Sequence, residues 1–265
     1  MDRKLTGEER ERYSRQIILD QIGEEGQKKL GDSRVLVVGA GGLGSPVLYY
    51  LAAAGVGRLG IVDNDHVSLP NLQRQIIHST LNLGSSKVDS ARDKLAALNP
   101  HLKLDTYRIR VTKENVAELI SDYDLVVMAV DNYSTRYILN EACFHGGKPL
   151  IEGAVDGFYG HATSFLPPYG PCYKCLFLKR EGSEGEDRSS PGVIGYAPGV
   201  IGAIEAGETL KIILGIGEPL LGRLLLYNSL KGEFQTILYK RMDGCPVCKS
   251  RRDKAGIIKI KNPCP

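Results

Sequence analysis

Arg34-Val-Leu-Val-Val-Gly-Ala-Gly-Gly-Leu-Gly-Ser45 decides how the rest of this 265-residue chain is read. Val35 to Val38 is a short continuous apolar run, the pattern of a strand buried on both faces. Glycines at 39, 41, 42 and 44 follow, giving G-x-G-x-x-G, and Pro46 to Ala54 continues with residues that suit a helix. A strand, a glycine turn and a helix start make a site for an anion: backbone N–H groups and the positive helix end face it where no Cβ blocks approach. The next apolar run, Leu59-Gly-Ile-Val-Asp63, ends in a carboxylate about 20 residues further on, the position that accepts hydrogen bonds from ribose hydroxyls. These features predict a nucleotide site without saying which nucleotide or what is done to it.

Working outward, Leu5 to Leu30 is charged and helix-prone and contains Arg12-Tyr-Ser-Arg-Gln-Ile17. It precedes the first core strand, so it is expected outside the sheet or against a partner. Beyond Asp63, Asn64 to Ser86 is irregular and polar. Lys87 to Leu98 has helical periodicity and stops at Asn99-Pro100. Leu102 to Ile109 reads as a strand, Asn115 to Ile120 as a short helix, and Leu125 to Val130 as a second buried strand ending in Asp131-Asn132. Tyr133 to Phe144 reads as the following helix, closed by Gly146-Gly147. Repeated β-α units predict a Rossmann-like, doubly wound, mostly parallel sheet with helices on both faces. The C-terminal half differs. Phe158 to Leu166, Leu224 to Tyr227 and Phe234 to Tyr239 read as antiparallel strands, the last two a hairpin around Lys231-Gly232. Glu181 to Ser190 is Gly- and Ser-rich and reads as a mobile loop or linker.

Composition narrows the class. An apolar fraction of 42% suits a packed core, and a net charge of +3 gives no bulk case for nucleic acid or an anionic membrane. The N-terminus is charged, unlike a secretory signal. The most apolar stretch, Val193 to Ile216, is broken by Pro198, glycines and charges, so no membrane span is expected. These readings predict a soluble cytoplasmic protein with reduced cysteines.

The glycine turn alone suggests a nicotinamide-dependent dehydrogenase. Asn71-Leu-Gln-Arg-Gln75 and Gly84-Ser-Ser-Lys-Val-Asp89 argue otherwise, because they place Arg74 and Lys87 soon after the Asp63 strand, and Arg15 could also reach the site. Singly, each cation reads as a solvated surface residue. Together beside a nucleotide they suit chemistry in which phosphate charge shifts during reaction, which hydride transfer does not need. Asp131, at the C-terminal end of a buried strand, is placed to hold Mg²⁺ between phosphate oxygens. Asp124, at the opposite edge, reads as solvated.

Cys172-Tyr-Lys-Cys175 and Cys245-Pro-Val-Cys248 form a second constellation. Two C-x-x-C pairs can fill a closed tetrahedral thiolate site for structural Zn²⁺. Disulfides are disfavoured by a reducing compartment. A redox pair would want a thioredoxin-like setting that Cys245 lacks. Cys143 reads as a small buried hydrophobe in a helix, and Cys264 as incidental.

These motifs, in this order from about residue 8 to 250, resemble the ThiF/MoeB/HesA family, bacterial and archaeal relatives of ubiquitin-activating enzymes. The resemblance implies one adenylation domain over 1–265: a helical segment at 1–30, a nucleotide-binding half at 31–150, a carrier-binding half with the zinc site at 151–250, and a tail at 251–265. The implied activity is adenylation of the C-terminal glycine of a small β-grasp sulfur carrier of MoaD or ThiS type, ending in Gly-Gly. The implied ATP site is Gly39, Gly41, Gly42, Gly44, Asp63, Asn71, Arg74, Lys87 and Asp131, with Mg²⁺ on Asp131 and Zn²⁺ on the four cysteines. Arg15, Arg74, Lys87 and Asp131 would be catalytic, Arg15 reaching in from the second subunit of a homodimer. Several relatives carry a cysteine in the crossover loop after the first C-x-x-C. Lys179 to Gly195 contains none, so no covalent carrier–enzyme intermediate is expected there, and the loop is expected to close over the carrier's tail. The chain ends soon after the second C-x-x-C, leaving no room for a rhodanese-like domain, so sulfur is expected from a separate protein. Two other readings stay open at this point. One is adenylation of a different carboxylate or a tRNA substrate on the same scaffold. The other is a non-catalytic adaptor for a β-grasp protein.

Overall fold

The structure, a computed structural model, describes residues 4–178 and 192–249. Cys264, the Glu181 to Ser190 stretch, most of the crossover loop and the 251–265 tail lie outside the described residues.

Eight strands form one sheet in the order β3-β2-β1-β4-β5-β6-β7-β8. The central strand β1 (Arg34–Val38) pairs in parallel with β2 (Arg58–Val62) on one side and β4 (Leu125–Met128) on the other. β3 (Lys103–Tyr107) and β5 (Leu150–Asp156) extend the parallel part outward. From β5 the sheet turns antiparallel through β6 (Tyr159–Phe165), β7 (Arg223–Asn228) and β8 (Glu233–Leu238). The expected hairpin around Lys231-Gly232 is present, with Tyr227 stacked on Phe234 at a ring separation of 4.7 Å.

Continuous apolar strands need both faces covered. Val35, Val37, Val127 and Ile151 face one core, closed by α4 (Gly44–Ala54), α5 (Lys87–Leu98) and α9 (Tyr196–Leu214). Leu36, Val38, Val126 and Met128 face the other, closed by α6 (Val116–Ser121), α7 (Tyr133–Gly146) and α8 (Tyr173–Leu176). Each of these buried side chains contributes roughly 1.5–3 kcal/mol. Three N-terminal helices, α1 (Gly7–Arg12), α2 (Ser14–Ile17) and α3 (Gly23–Asp32), lie outside the sheet as expected. α1 opens with a complete capping box: Thr6 Oγ1 accepts from the Glu9 N–H, and Glu9 Oε2 accepts from the Thr6 N–H.

Two elements depart from the sequence reading. β5 was not expected as a strand, because Glu152 and Gly153 interrupt its apolar run. The broken apolar stretch at 193–216 contains a single 19-residue helix, α9, that packs on the sheet and on α4. Pro198 falls in its first turn, where a missing N–H costs nothing. Among the described residues no helix is long and apolar enough to cross a membrane.

Candidate functional site

The sheet changes direction at β1: the chain moves to β2 and β3 on one side and to β4 and β5 on the other. Open α/β sheets bind ligands at the carboxyl ends of the strands flanking such a point. Here those ends carry the glycine turn after β1 and Asp131 after β4, on adjacent strands (Val38 beside Met128).

The glycines divide into two kinds. Gly39 has φ +102°, and a Cβ there would stand 2.3 Å from the Ala129 carbonyl oxygen. A Cβ on Gly44 would stand 1.9 Å from the Gly39 oxygen. The protein's own backbone forbids side chains at both. At Gly41 and Gly42 the nearest atoms are side chains, at 3.5 Å (Gln75 Nε2) and 3.3 Å (Pro198). The backbone does not require glycine at either, and the missing side chains at the N-terminus of α4 suit the close approach of an anionic group.

Asp63 closes the turn. Its Oδ2 accepts from the Ala40 N–H at 2.9 Å and its Oδ1 from the Asp65 N–H at 2.9 Å. Two backbone donors fix a half-buried carboxylate whose remaining lone pairs can take ribose hydroxyls.

The irregular segment after Asp63 contains two short 3-10 turns, Leu69–Asn71 and Thr80–Asn82. It folds back on the turn. The Arg74 side chain runs beside Gly42, with Cγ 3.6 Å from the position of a Cβ there. Its Nη2 donates to Asn71 Oδ1 at 3.1 Å and its Nη1 to the Pro70 carbonyl at 3.3 Å. Asn71 therefore orients Arg74. Lys87 is nearly buried, and its Nζ lies 2.9 Å from Asp65 Oδ2. A lysine in the first turn of a helix opposes the macrodipole; the Asp65 carboxylate offsets that, and it links Lys87 to the Asp63 loop.

Asp131 is exposed just past β4. The corner it sits on is held from beneath by buried Arg136, whose guanidinium donates to the Val130 carbonyl, to Glu152 and, at 3.1 Å, to the Gly153 carbonyl. Asn132 caps α7 by accepting from the Thr135 N–H at 2.9 Å. Asp124, at the other edge, is exposed and paired with Arg34 at 2.9 Å.

Arg15 does not join this group within one chain. It is exposed on α2, which docks at the far end of α4: Gln16 Nε2 donates to the Ala54 carbonyl at 3.0 Å, and Tyr13 packs under Gly55. An 11-residue helix separates that end from the glycine turn by about 16 Å.

Two residues that the sequence reading left without a role also belong to the site. His78 is buried. Its Nε2–H donates to the Ala40 carbonyl at 2.8 Å, and its Nδ1 accepts from the Ser90 hydroxyl at 2.9 Å. A carbonyl can only accept, so Nε2 carries a proton, and in the neutral ring Nδ1 is then the acceptor. Burial pushes its pKa below the usual histidine value. Gln75 is the second, its amide facing Gly41. Both lie within or just beyond the quoted Asn71–Gln75 motif. Only their pairing to the turn was invisible.

The four cysteines meet at the end of α7. Sγ separations are 3.9 Å for Cys172–Cys175, 3.7 Å for Cys172–Cys245 and 3.3 Å for Cys175–Cys248, and all four atoms lie within 4.8 Å of one another. A tetrahedral zinc with bonds of about 2.3 Å would need about 3.8 Å between sulfurs. The donor set therefore fits the ion, and the pairs are too far apart for disulfides. Cys143 is buried in α7, and burial pushes its thiol up to about 12, the state of an inert core residue.

Comparison with known proteins gives a consistent picture. The ThiF family profile matches residues 13–247. The sulfur carrier protein adenylyltransferase of Thermus thermophilus is 47% identical over 251 residues, covering 92% of this chain and 93% of that protein. The SAMP-activating enzyme E1 of Haloferax volcanii is 46% identical over 249 residues, covering 94% of this chain and 92% of that protein. Among solved structures, E. coli MccB with MccA-N7isoASN has a TM-score of 0.82 over 91% of this chain and 74% of that one. At 23% identity that likeness speaks for the fold alone.

Proposed function

The chain belongs to the ThiF family, and from that premise we propose that it is an ATP-dependent adenylyltransferase. Its substrate would be the C-terminal glycine carboxylate of a small ubiquitin-like sulfur carrier protein. The observation that carries this reading is the turn itself. Gly41 and Gly42, which face side chains and not backbone, sit on the turn that Asp63 closes, with Arg74 running alongside and Lys87 tied in through Asp65.

In this reading Asp63 takes the ribose, and the turn takes the α-phosphate at the start of α4. The carrier's carboxylate is ionised at neutral pH, so attack needs no general base. A carboxylate oxygen bonds to the α-phosphorus as the bond to the bridging oxygen breaks, and pyrophosphate leaves with the electron pair. What the protein supplies is alignment and charge compensation, from Arg74, Lys87 and, in a homodimer, Arg15 of the second subunit. Ile18, Leu69, Ile76 and Leu81 are exposed on the segments flanking Arg15 and Arg74, which supports such an assembly. Asp131 offers the hard oxygen donors that Mg²⁺ prefers, and the ion would neutralise phosphate charge there. Zn²⁺ on Cys172, Cys175, Cys245 and Cys248 would be structural, since four thiolates leave no open position. A thiolate site suits a reducing compartment, and we place the protein in the cytoplasm, with sulfur supplied by a separate donor protein.

The test is ATP–pyrophosphate exchange, with Mg²⁺, against β-grasp proteins ending in Gly-Gly from the same organism. Exchange with one carrier, lost when its terminal glycine is deleted, establishes the reading. Tight ATP binding with no exchange for any carrier would overturn it.

A further inference from the structure

Asn140 sits in the middle of α7, where asparagine is a poor helix former, and it is buried. Both ends of its amide are spent on the first C-x-x-C pair. Oδ1 accepts from the Tyr173 N–H at 2.9 Å, and Nδ2 lies 3.9 Å from Cys172 Sγ. A backbone N–H can only donate, which settles which end of the amide is oxygen and turns the NH₂ group to the sulfur. The first bond is a helix cap supplied from another element. Cys172 is the N-cap of α8, and its side chain makes no capping bond. Its sulfur is turned to Cys175 and Cys245 instead, at 3.9 Å and 3.7 Å. The Tyr173 N–H would otherwise be an orphan of the helix start, and Asn140 takes it. One turn earlier on α7, the Tyr137 hydroxyl donates to the carbonyl of Phe177, the C-cap of α8, at 3.0 Å. Thus α7 grips α8 at both ends.

We propose that Asn140 is a positioning residue of the metal centre: its amide N–H donates to the Cys172 thiolate and holds that sulfur in place to ligate. The inference rests on the zinc reading above and adds a supporting contact to it. A cap alone does not call for an amide, since a carboxylate accepts from the Tyr173 N–H equally well. The NH₂ group answers a different need. Four thiolates around one Zn²⁺ leave an excess of negative charge, and Cys172 is buried away from water that could offset it. A donor on the sulfur spreads that charge and fixes the sulfur's direction. Because Oδ1 is anchored on the residue next to Cys172, the donor and the sulfur it serves are held by one side chain.

The experiment compares the full-length, zinc-loaded chain with Asn140→Asp and Asn140→Leu, circular dichroism confirming that each variant folds. Asn140→Asp keeps an acceptor for the Tyr173 N–H and loses the donor to sulfur. Asn140→Leu, of similar shape, loses both. Zinc affinity is read by competition with a chromophoric chelator, and the sulfur itself by the thiolate-to-metal charge-transfer band after Co²⁺ replaces Zn²⁺. Asn140→Asp should weaken zinc binding by about 10- to 100-fold. In both variants the band should move to longer wavelength, because a sulfur without its donor gives up electrons more easily. If Asn140→Asp fails to fold, the cobalt band of Asn140→Leu decides. A folded Asn140→Asp variant with zinc affinity within about twofold of wild type and an unmoved band would overturn the proposal and leave Asn140 a helix cap. An unmoved band in Asn140→Leu would do the same. Zinc content of the wild-type chain is measured first: a chain that holds no zinc would overturn the zinc reading, and this proposal with it, before any variant is compared.

Discussion

His78 and Ala40 are joined across the floor of the glycine turn, Nε2 to carbonyl oxygen at 2.8 Å. The bond alone would favour a charged ring, but burial, helped by the Lys87 charge, outweighs it and holds the folded-state pKa below the ordinary value. The unfolded chain therefore binds the proton more readily. The stability His78 contributes is complete above about pH 6.5 and is lost as the pH falls through the lowered folded value. Urea unfolding between pH 5 and 8 should show a steeper acid loss for the wild type than for His78→Gln, which does not titrate. Parallel curves would sink the assignment. At pH 7.5, His78→Ala should cost about 1–3 kcal/mol.

Gly44 and Gly41 should respond oppositely to the same methyl group. Gly44→Ala drives a Cβ into the Gly39 carbonyl, backbone that cannot yield, and should destabilise by on the order of 3 kcal/mol or more. Gly41→Ala meets only ordinary contact and should fold to within about 1 kcal/mol of wild type, yet lose nucleotide affinity at least about tenfold. Equal stability losses in the two variants, read by denaturant titration, would refute the division.

Asp131→Ala and Arg74→Ala should each cut pyrophosphate exchange by about 100-fold or more while leaving the melting temperature nearly unchanged. Asp131 is exposed, and the Arg74 guanidinium is bonded only to its own segment, so neither supports the core. Near-normal exchange by a folded Asp131→Ala variant would remove the metal assignment.

What the sequence made legible was the part of the site whose partners are close by in the chain. The strand, glycine turn and helix of residues 34–54 announce themselves, because their spacing is dictated by one local geometry. His78 and Gln75 do not, since each meets a turn more than thirty residues earlier and looks alone like any polar residue near a loop. β5 was hidden for a related reason. Its Glu152 is acceptable because Arg136, from α7, and His161, from β6, meet it in the core. α9 was hidden because its buried face carries Pro198, Gly202, Glu205, Glu208 and Thr209, while apolar Val200 and Leu210 lie off it, which blurs the amphipathic period that marks a surface helix.

Glu205 on α9 offers a test of that buried environment. It is fully buried beside Gly153, both oxygens lack partners, and burial, then the nearby Glu152 charge, raises its pKa well above the usual carboxylate value. The folded state holds the proton more tightly, so stability falls as pH rises from about 4.5 through the raised value. Glu205→Gln should be more stable than wild type at pH 8, with the difference shrinking toward pH 4.5. A variant less stable than wild type at pH 8 would refute this.

Zinc content gives the fifth expectation. The purified chain should carry one zinc per subunit. Cys245→Ser should lose it together with several kcal/mol of stability, and a strong chelator should reproduce that loss in the wild type. Metal-free protein that melts at the same temperature would exclude a structural role.

The cysteine cluster also bears on the order in which the chain assembles. β6 precedes Cys172, whereas its neighbour β7 arrives only after the whole of α9, and Cys245 follows the β7–β8 hairpin. An unfolded chain that keeps its metal is a closed ring through these cysteines, and a cross-link over so many residues removes about 4 kcal/mol of chain entropy. The path from β6 to β7 is then shorter through the ion than along the backbone. A pairing distant in sequence becomes a nearly local one, so the antiparallel half would form earlier, and more quickly, in chains that capture the ion before they collapse.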